Sequence, residues 1–170
     1  MRYIPIMILL LAISGCTVLQ PVDTAPLLQQ YGQARVQLTA ARTLYEQKKA
    51  QLTISERVAM YSAIGEAEFL LSEADRLAAS DSPVLTSTQA TILAERTKKL
   101  QSAVSAVVDT HRATLTEDEQ LQIARLDSAL QRLSYYFFVA QGQQKDRKEA
   151  ILEIAGIVAE VGKGIAGLLL

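Results

Sequence analysis

This sequence predicts an all-α fold: an up-and-down antiparallel bundle of about four long helices, followed by an apolar C-terminal helix. Three observations predict it. Apolar and small residues recur in alternating steps of three and four along most of the chain, the spacing of helices that bury one stripe each. Thr-x-x-Glu/Gln start signals stand at the head of several of these stretches. No segment shows the residue-by-residue alternation of a strand. Composition agrees, since the 170 residues are 49% hydrophobic but only 5% aromatic, with no tryptophan and four prolines, a balance that belongs to long helices. A chain of this length buries about two thirds of its surface, enough for one domain with a core.

The first fifteen residues have the three parts of an export signal. Arg2 is a small positive start, residues 4–13 form an apolar run, and Ser14 and Gly15 are the small residues of a cleavage site. The run is too short to span a bilayer as a helix, which takes about 20 apolar residues. Cys16 follows directly and is the only cysteine, so it has no partner for an intrachain disulfide. A buried structural cysteine poorly explains an apolar stretch with no amphipathic period.

Ile13-Ser14-Gly15-Cys16 resembles the lipobox of bacterial lipoproteins, an aliphatic residue and two small ones before a cysteine. The resemblance covers about the first sixteen residues. It implies that the Cys16 thiol receives a diacylglyceryl group, that residues 1–15 are cut away, and that the new amino terminus is acylated, with chains of the palmitate kind. A single acyl chain holds a protein marginally, whereas two or more hold it stably. Thr17, rather than Asp, stands after the anchor. By the same resemblance this favours the outer membrane, with the body facing the periplasm. Loss of Arg2 takes the formal net charge from −1 to one unit lower. That leaves no clustered basic charge for nucleic acid.

Residues 16–25 then form the lipidated N-terminus and its tether, with Pro21 and no hydrophobic period. The first helix starts with Asp23 or Thr24 as cap and Pro26 in its first turn, where the missing N–H costs nothing. Its seam is Leu27, Tyr31, Ala34, Leu38, Ala41, Tyr45 and Leu52, with Lys48 completing the series. The second helix, about 54–80, opens on Thr53 to Glu56 and aligns Met60, Ile64, Ala67, Leu71, Ala74 and Ala78. Pro83 enforces the break after it, because the residue before a proline avoids the helical region.

Thr86 to Gln89 opens the third helix, about 87–113, with Leu93, Leu100, Val104, Val107 and His111 in line and Thr97 as the polar member. Thr116 to Glu119 opens the fourth, about 117–141, with Ile123, Leu126, Leu130, Leu133, Phe137 and Ala140. At about 1.5 Å per residue each helix is roughly 40 Å long. Short loops between helices of matched length imply antiparallel neighbours. Residues 26–142 therefore constitute the expected four-helix bundle.

Residues 143–170 comprise a polar hinge and a C-terminal helix, with Gly142 a helix terminator before them. Ile151, Ile154, Val158, Val161, Ile165 and Leu168 form one stripe. Ala155, Ala159, Gly162 and Ala166 form a second stripe of small residues, and Glu153, Glu160 and Lys163 interrupt the apolar surface. Three readings are open. As a lone transmembrane helix the tail carries three charges, each costing about 2.5–3.5 kcal/mol near a membrane centre. As an interfacial helix it has a thin polar face. As a helix packed on its own bundle, on a protein partner or on a second copy, its small stripe permits close backbone approach. The aromatic run Tyr135 to Phe138 favours packing, because consecutive helical residues point about 100° apart and one bundle core cannot cover them all.

Catalytic chemistry has little footing. His111 is the only histidine; at a helix C-terminus and a seam position it reads as structural. Asp109 and Ser105 lie nearby, without the strained nucleophile and oxyanion donors of a triad. One histidine and an anchoring cysteine leave no zinc cluster, and no cofactor is expected. Glu66 with Glu73, and Glu68 with Asp75, lie two turns apart, roughly 10 Å, which reads as a solvated helix face rather than an acid pair. The acidic run 117–119 suits a helix N-terminus. Gly156, Gly162, Gly164 and Gly167 lack the lysine context of a phosphate loop. The sequence thus points to a non-enzymatic, membrane-anchored envelope protein. Its partners are expected to be the bilayer at Cys16 and a protein at the tail; the alternative is a membrane-active or pore-forming subunit whose tail inserts.

Overall fold

The computed structural model describes residues 25–111 and 115–169. They form α1 (Ala25–Lys48), α2 (Ile54–Ala78), α3 (Ser87–His111), α4 (Glu117–Ala140) and α5 (Arg147–Leu169), with an isolated bridge between Val84 and Asp146 as the one extended pairing among the described residues. The protein is an all-helical bundle. Cys16, the tether and the seam side chain of Leu27 lie outside the described residues.

The three start signals are capping boxes. Thr53 Oγ1 accepts from the Glu56 N–H at 3.2 Å while the Thr53 N–H donates to Glu56 Oε2 at 2.7 Å. Thr86 with Gln89 and Thr116 with Glu119 repeat the arrangement. Each box satisfies two N–H groups that a helix start leaves without intrahelical partners. α5 begins earlier than the polarity of residues 147–150 indicated. Asp146 caps it, its Oδ1 accepting from the N–H groups of Lys148 at 2.6 Å and Glu149 at 3.3 Å.

The stripes bury as helical spacing dictates. Met60, Ile64, Leu93, Leu100, Leu130, Leu133, Phe137, Ile154 and Val158 all belong to one core. Thr97, the polar member, is fully buried and satisfies its hydroxyl on Leu93 O at 2.8 Å. One seam position shifts: Leu77 is buried and Ala78 exposed.

The connectivity of packing is less regular than the order of helices. α2 packs on α3, and α3 on α4, but α1 lies mainly against α5, which also packs on α2 and α4. Tyr31 meets Asp75 and Tyr45 meets Arg57, so the start of α1 lies beside the end of α2. This is the proximal end of the molecule. There the α2–α3 and α4–α5 connections are stitched together, Leu85 N–H donating to Lys145 O at 2.9 Å and Arg147 N–H to Pro83 O at 3.0 Å.

The capping carboxylates make stability depend on acid. The hydrogen bonds from Thr53 and Thr116 hold Glu56 and Glu119 below their ordinary value of 4.5. A depressed carboxylate binds its proton more tightly in the unfolded chain, so its contribution is present above 4.5 and is lost as pH falls through the folded value. Urea midpoints measured down the acid range are expected to fall, and to fall less steeply in Thr53→Ala/Thr116→Ala. An equally steep fall in that variant would mean that the caps do not carry the effect.

Candidate functional site

The C-terminal helix is where the sequence concentrated its candidate residues, and the structure turns most of them inward. Ile151, Ile154, Val158, Val161 and Ile165 are buried, as are Ala155, Ala159 and Gly162; Ala166 and Leu168 are half-buried. Glu153, Glu160 and Lys163 face water, with Lys163 Nζ 2.8 Å from Glu160 Oε1. The narrow charged edge is thus the solvent side of a helix otherwise enclosed by the chain. No helix among the described residues is long and apolar enough to cross a membrane.

Gly162 marks the tightest point. A Cβ built there would stand 2.8 Å from Gln37 C and 2.9 Å from both Gln37 O and Leu38 N, all backbone atoms of α1. Its residue type is required by a neighbour rather than by its own backbone angles. The other members of the small stripe share its face of α5 by spacing.

Each carboxylate weighed as a catalytic pair is engaged with an arginine instead. Arg96 reaches Glu66 at 3.2 Å, Arg42 reaches Glu68 at 3.2 Å, Arg76 reaches Glu73 at 2.8 Å and Arg35 reaches Asp75 at 2.8 Å. Three of these ties cross between helices, and Arg96 also lies over the Phe69 ring at 4.0 Å. Tyr31 joins the Asp75 and Arg35 group, and its phenol is pushed up mainly by burial, then by the Asp75 hydrogen bond. His111 is held at the end of α3: Nδ1 lies 2.9 Å from Val107 O, and Nε2 lies 3.4 Å from Glu56 Oε1 on α2. It therefore links two helix termini. Among the described residues no group of three or more His, Cys, Asp or Glu side chains is placed to hold a metal.

The aromatic run divides in a way that spacing alone did not resolve. Phe137 is fully buried, and Tyr136 packs edge-on against it at 5.4 Å. The Tyr136 hydroxyl donates toward Glu149 Oε2 and Asp146 O at 3.3 and 3.4 Å, so the start of α5 covers it. Burial, reinforced by the Glu149 and Asp146 charges, holds that phenol protonated well above its ordinary range. Tyr135 and Phe138 remain exposed.

At the opposite, distal end a largely apolar cleft of about 340 Å³ lies between α3, α4 and α5. Val104, Val107, Ile123, Leu126, Val161 and Ile165 line it, and Gly164 and Gly167 give it bare backbone on the α5 side. Glu119, Gln122, Arg125, Glu160 and Lys163 stand among its polar lining. The sequence offered no signal for this cleft, because its walls come from three helices and their apolar residues look like ordinary seam. Comparison with protein-family models, curated proteins and solved structures finds no significant match.

The glycines of α5 separate by substitution. Gly162→Ala forces α1 and α5 apart and is expected to lower stability by about 1–3 kcal/mol, the cost of overpacking. Gly156→Ala meets nothing within 4 Å and is expected to raise stability by about 0.5–1 kcal/mol, the helical preference for alanine. Chemical denaturation of both variants checks this; equal effects would mean that the close approach carries no weight.

Proposed function

We propose that this chain is a lipid-anchored protein of the bacterial cell envelope. In this reading it is held at the outer membrane through acylated Cys16 and acts in the periplasm as a non-enzymatic helical interaction or structural module. The observation that carries the reading is the tetrapeptide at residues 13–16 set directly after an export-type signal. The body supports it. Several of its ionic side chains hold helices together: Asp75, Glu68 and Glu66 of α2 on Arg35, Arg42 and Arg96, and Glu56 on His111. A module of this kind works by confinement, since an anchor raises the effective concentration of the bundle near its partners. Residues 17–24 span at most roughly 30 Å when extended, so the start of α1 stays close to the bilayer.

We further propose that the helices run up and down in sequence, with α5 completing the bundle built by the first four. The pairings Tyr31 with Asp75, Arg42 with Glu68 and Tyr45 with Arg57 support this for α1 and α2, and Glu66 with Arg96 and Glu56 with His111 support it for α2 and α3. Insertion of the tail into a membrane, the pore-forming alternative, requires α5 to leave the seam with α1 and expose its buried stripe.

Membrane fractionation tests both. The full chain, expressed with labelled palmitate, is expected to carry the label and to stay with membranes after an alkaline carbonate wash. Residues 17–170 behind an ordinary cleavable export signal are expected in the soluble fraction. Membrane retention of that second form would put α5 in the bilayer and overturn the packed reading.

A further inference from the structure

We infer that the distal cleft is a binding site for a single-chain amphiphile with an anionic head, a free fatty acid, its alkyl chain between α3, α4 and α5 and its carboxylate on Arg125. A volume of about 340 Å³ falls in the range of small-molecule sites, about 300–1,000 Å³, which are apolar with a few placed polar groups. The walls are aliphatic: Val104 and Val107 from α3, Ile123 and Leu126 from α4, Val161 and Ile165 from α5.

The glycines keep it open. A Cβ at Gly164 would reach Leu126 at 3.7 Å, an ordinary contact, and one at Gly167 would meet nothing within 4 Å. Neither is needed for close helix packing, in contrast to Gly162, and both line the cleft with backbone alone. Larger residues at these positions would fill the space.

Charge selects the head group. Glu119 is occupied by the Thr116 N–H and hydroxyl at 2.7 and 2.6 Å, and Glu160 is paired with Lys163 at 2.8 Å. Arg125 is exposed, and it makes no hydrogen bond or ion pair among the described residues. A carboxylate at the mouth satisfies this guanidinium in two-pronged geometry. The inference does not depend on how the chain is anchored.

The test uses the full chain reconstituted in phosphatidylcholine vesicles, a diazirine-bearing dodecanoate as photoreactive probe, and mass spectrometry to map the labelled residues. The expected result is saturable labelling of the α3, α4 and α5 segments around the cleft, competed by dodecanoate. Gly167→Leu should abolish it while melting at or above the wild-type temperature. Arg125→Gln, an exposed change that leaves the fold intact, should weaken dodecanoate competition roughly tenfold or more and leave dodecanol competition unchanged. Labelling that does not saturate, that lies outside the cleft, or that persists in Gly167→Leu would overturn the inference. So would labelling found only across two copies, which would make the cleft a contact between chains.

Discussion

The contact between the backbones of α1 and α5 is the constraint on which the rest of the molecule depends. Where Gly162 meets Gln37 and Leu38, a side chain of any size would push the helices apart. Among the described side chains of α1 the buried set is Ala34, Leu38, Ala41 and Tyr45, two of them alanines. Small residues give useful burial only at short interhelical distance, because dispersion falls away steeply with a gap. α1 gets little cover from α2 and most from α5. Close approach is therefore what lets a weakly apolar helix belong to the core at all. It also joins the first and last described helices of the chain, so the core closes only when the last helix is in place, a long-range contact that slows folding.

Around that seam charged side chains tie neighbouring helices together. The arginine ties along α2 are largely exposed, and pairs of that kind contribute little each, about 0–1 kcal/mol. Their value is in register: Arg35 and Arg42 fix α1 on one side of α2, and Arg96 fixes α3 on the other. The proximal end is tied by the stitched loops, whereas the distal end opens into the cleft. The cleft thus lies at the end of the bundle opposite the start of α1.

Much of the fold was legible in the sequence because helix periodicity and capping are local signals. Thr53, Thr86 and Thr116 announced their helices, and the seams of α2, α3 and α4 followed from spacing, except that Ala78 is exposed and that Ile123 and His111 are half-buried. The start of α5 was obscured because Arg147, Lys148 and Glu149 look like hinge, although Asp146 and Glu149 have the spacing of a cap. The glycines of the tail were not legible at all. Gly156, Gly162, Gly164 and Gly167 are alike as letters, yet one faces water, one touches α1, and two border a cleft. Their meaning is set by neighbours far away in the chain. Arg125 was equally silent, since its significance lies in the cleft it borders and in its lack of a partner among the described residues.

Native-state hydrogen exchange resolved by residue tests the central claim most directly. If α5 holds the bundle together, amides around Val158 and Val161 and those around Ala34 and Leu38 exchange only by global unfolding. Their opening free energy then equals that of Ile64 and Leu130. Exchange of the α5 amides at a clearly lower free energy, with α2 and α4 still protected, would show α5 to be an appendage on a bundle that stands without it, and would contradict the account.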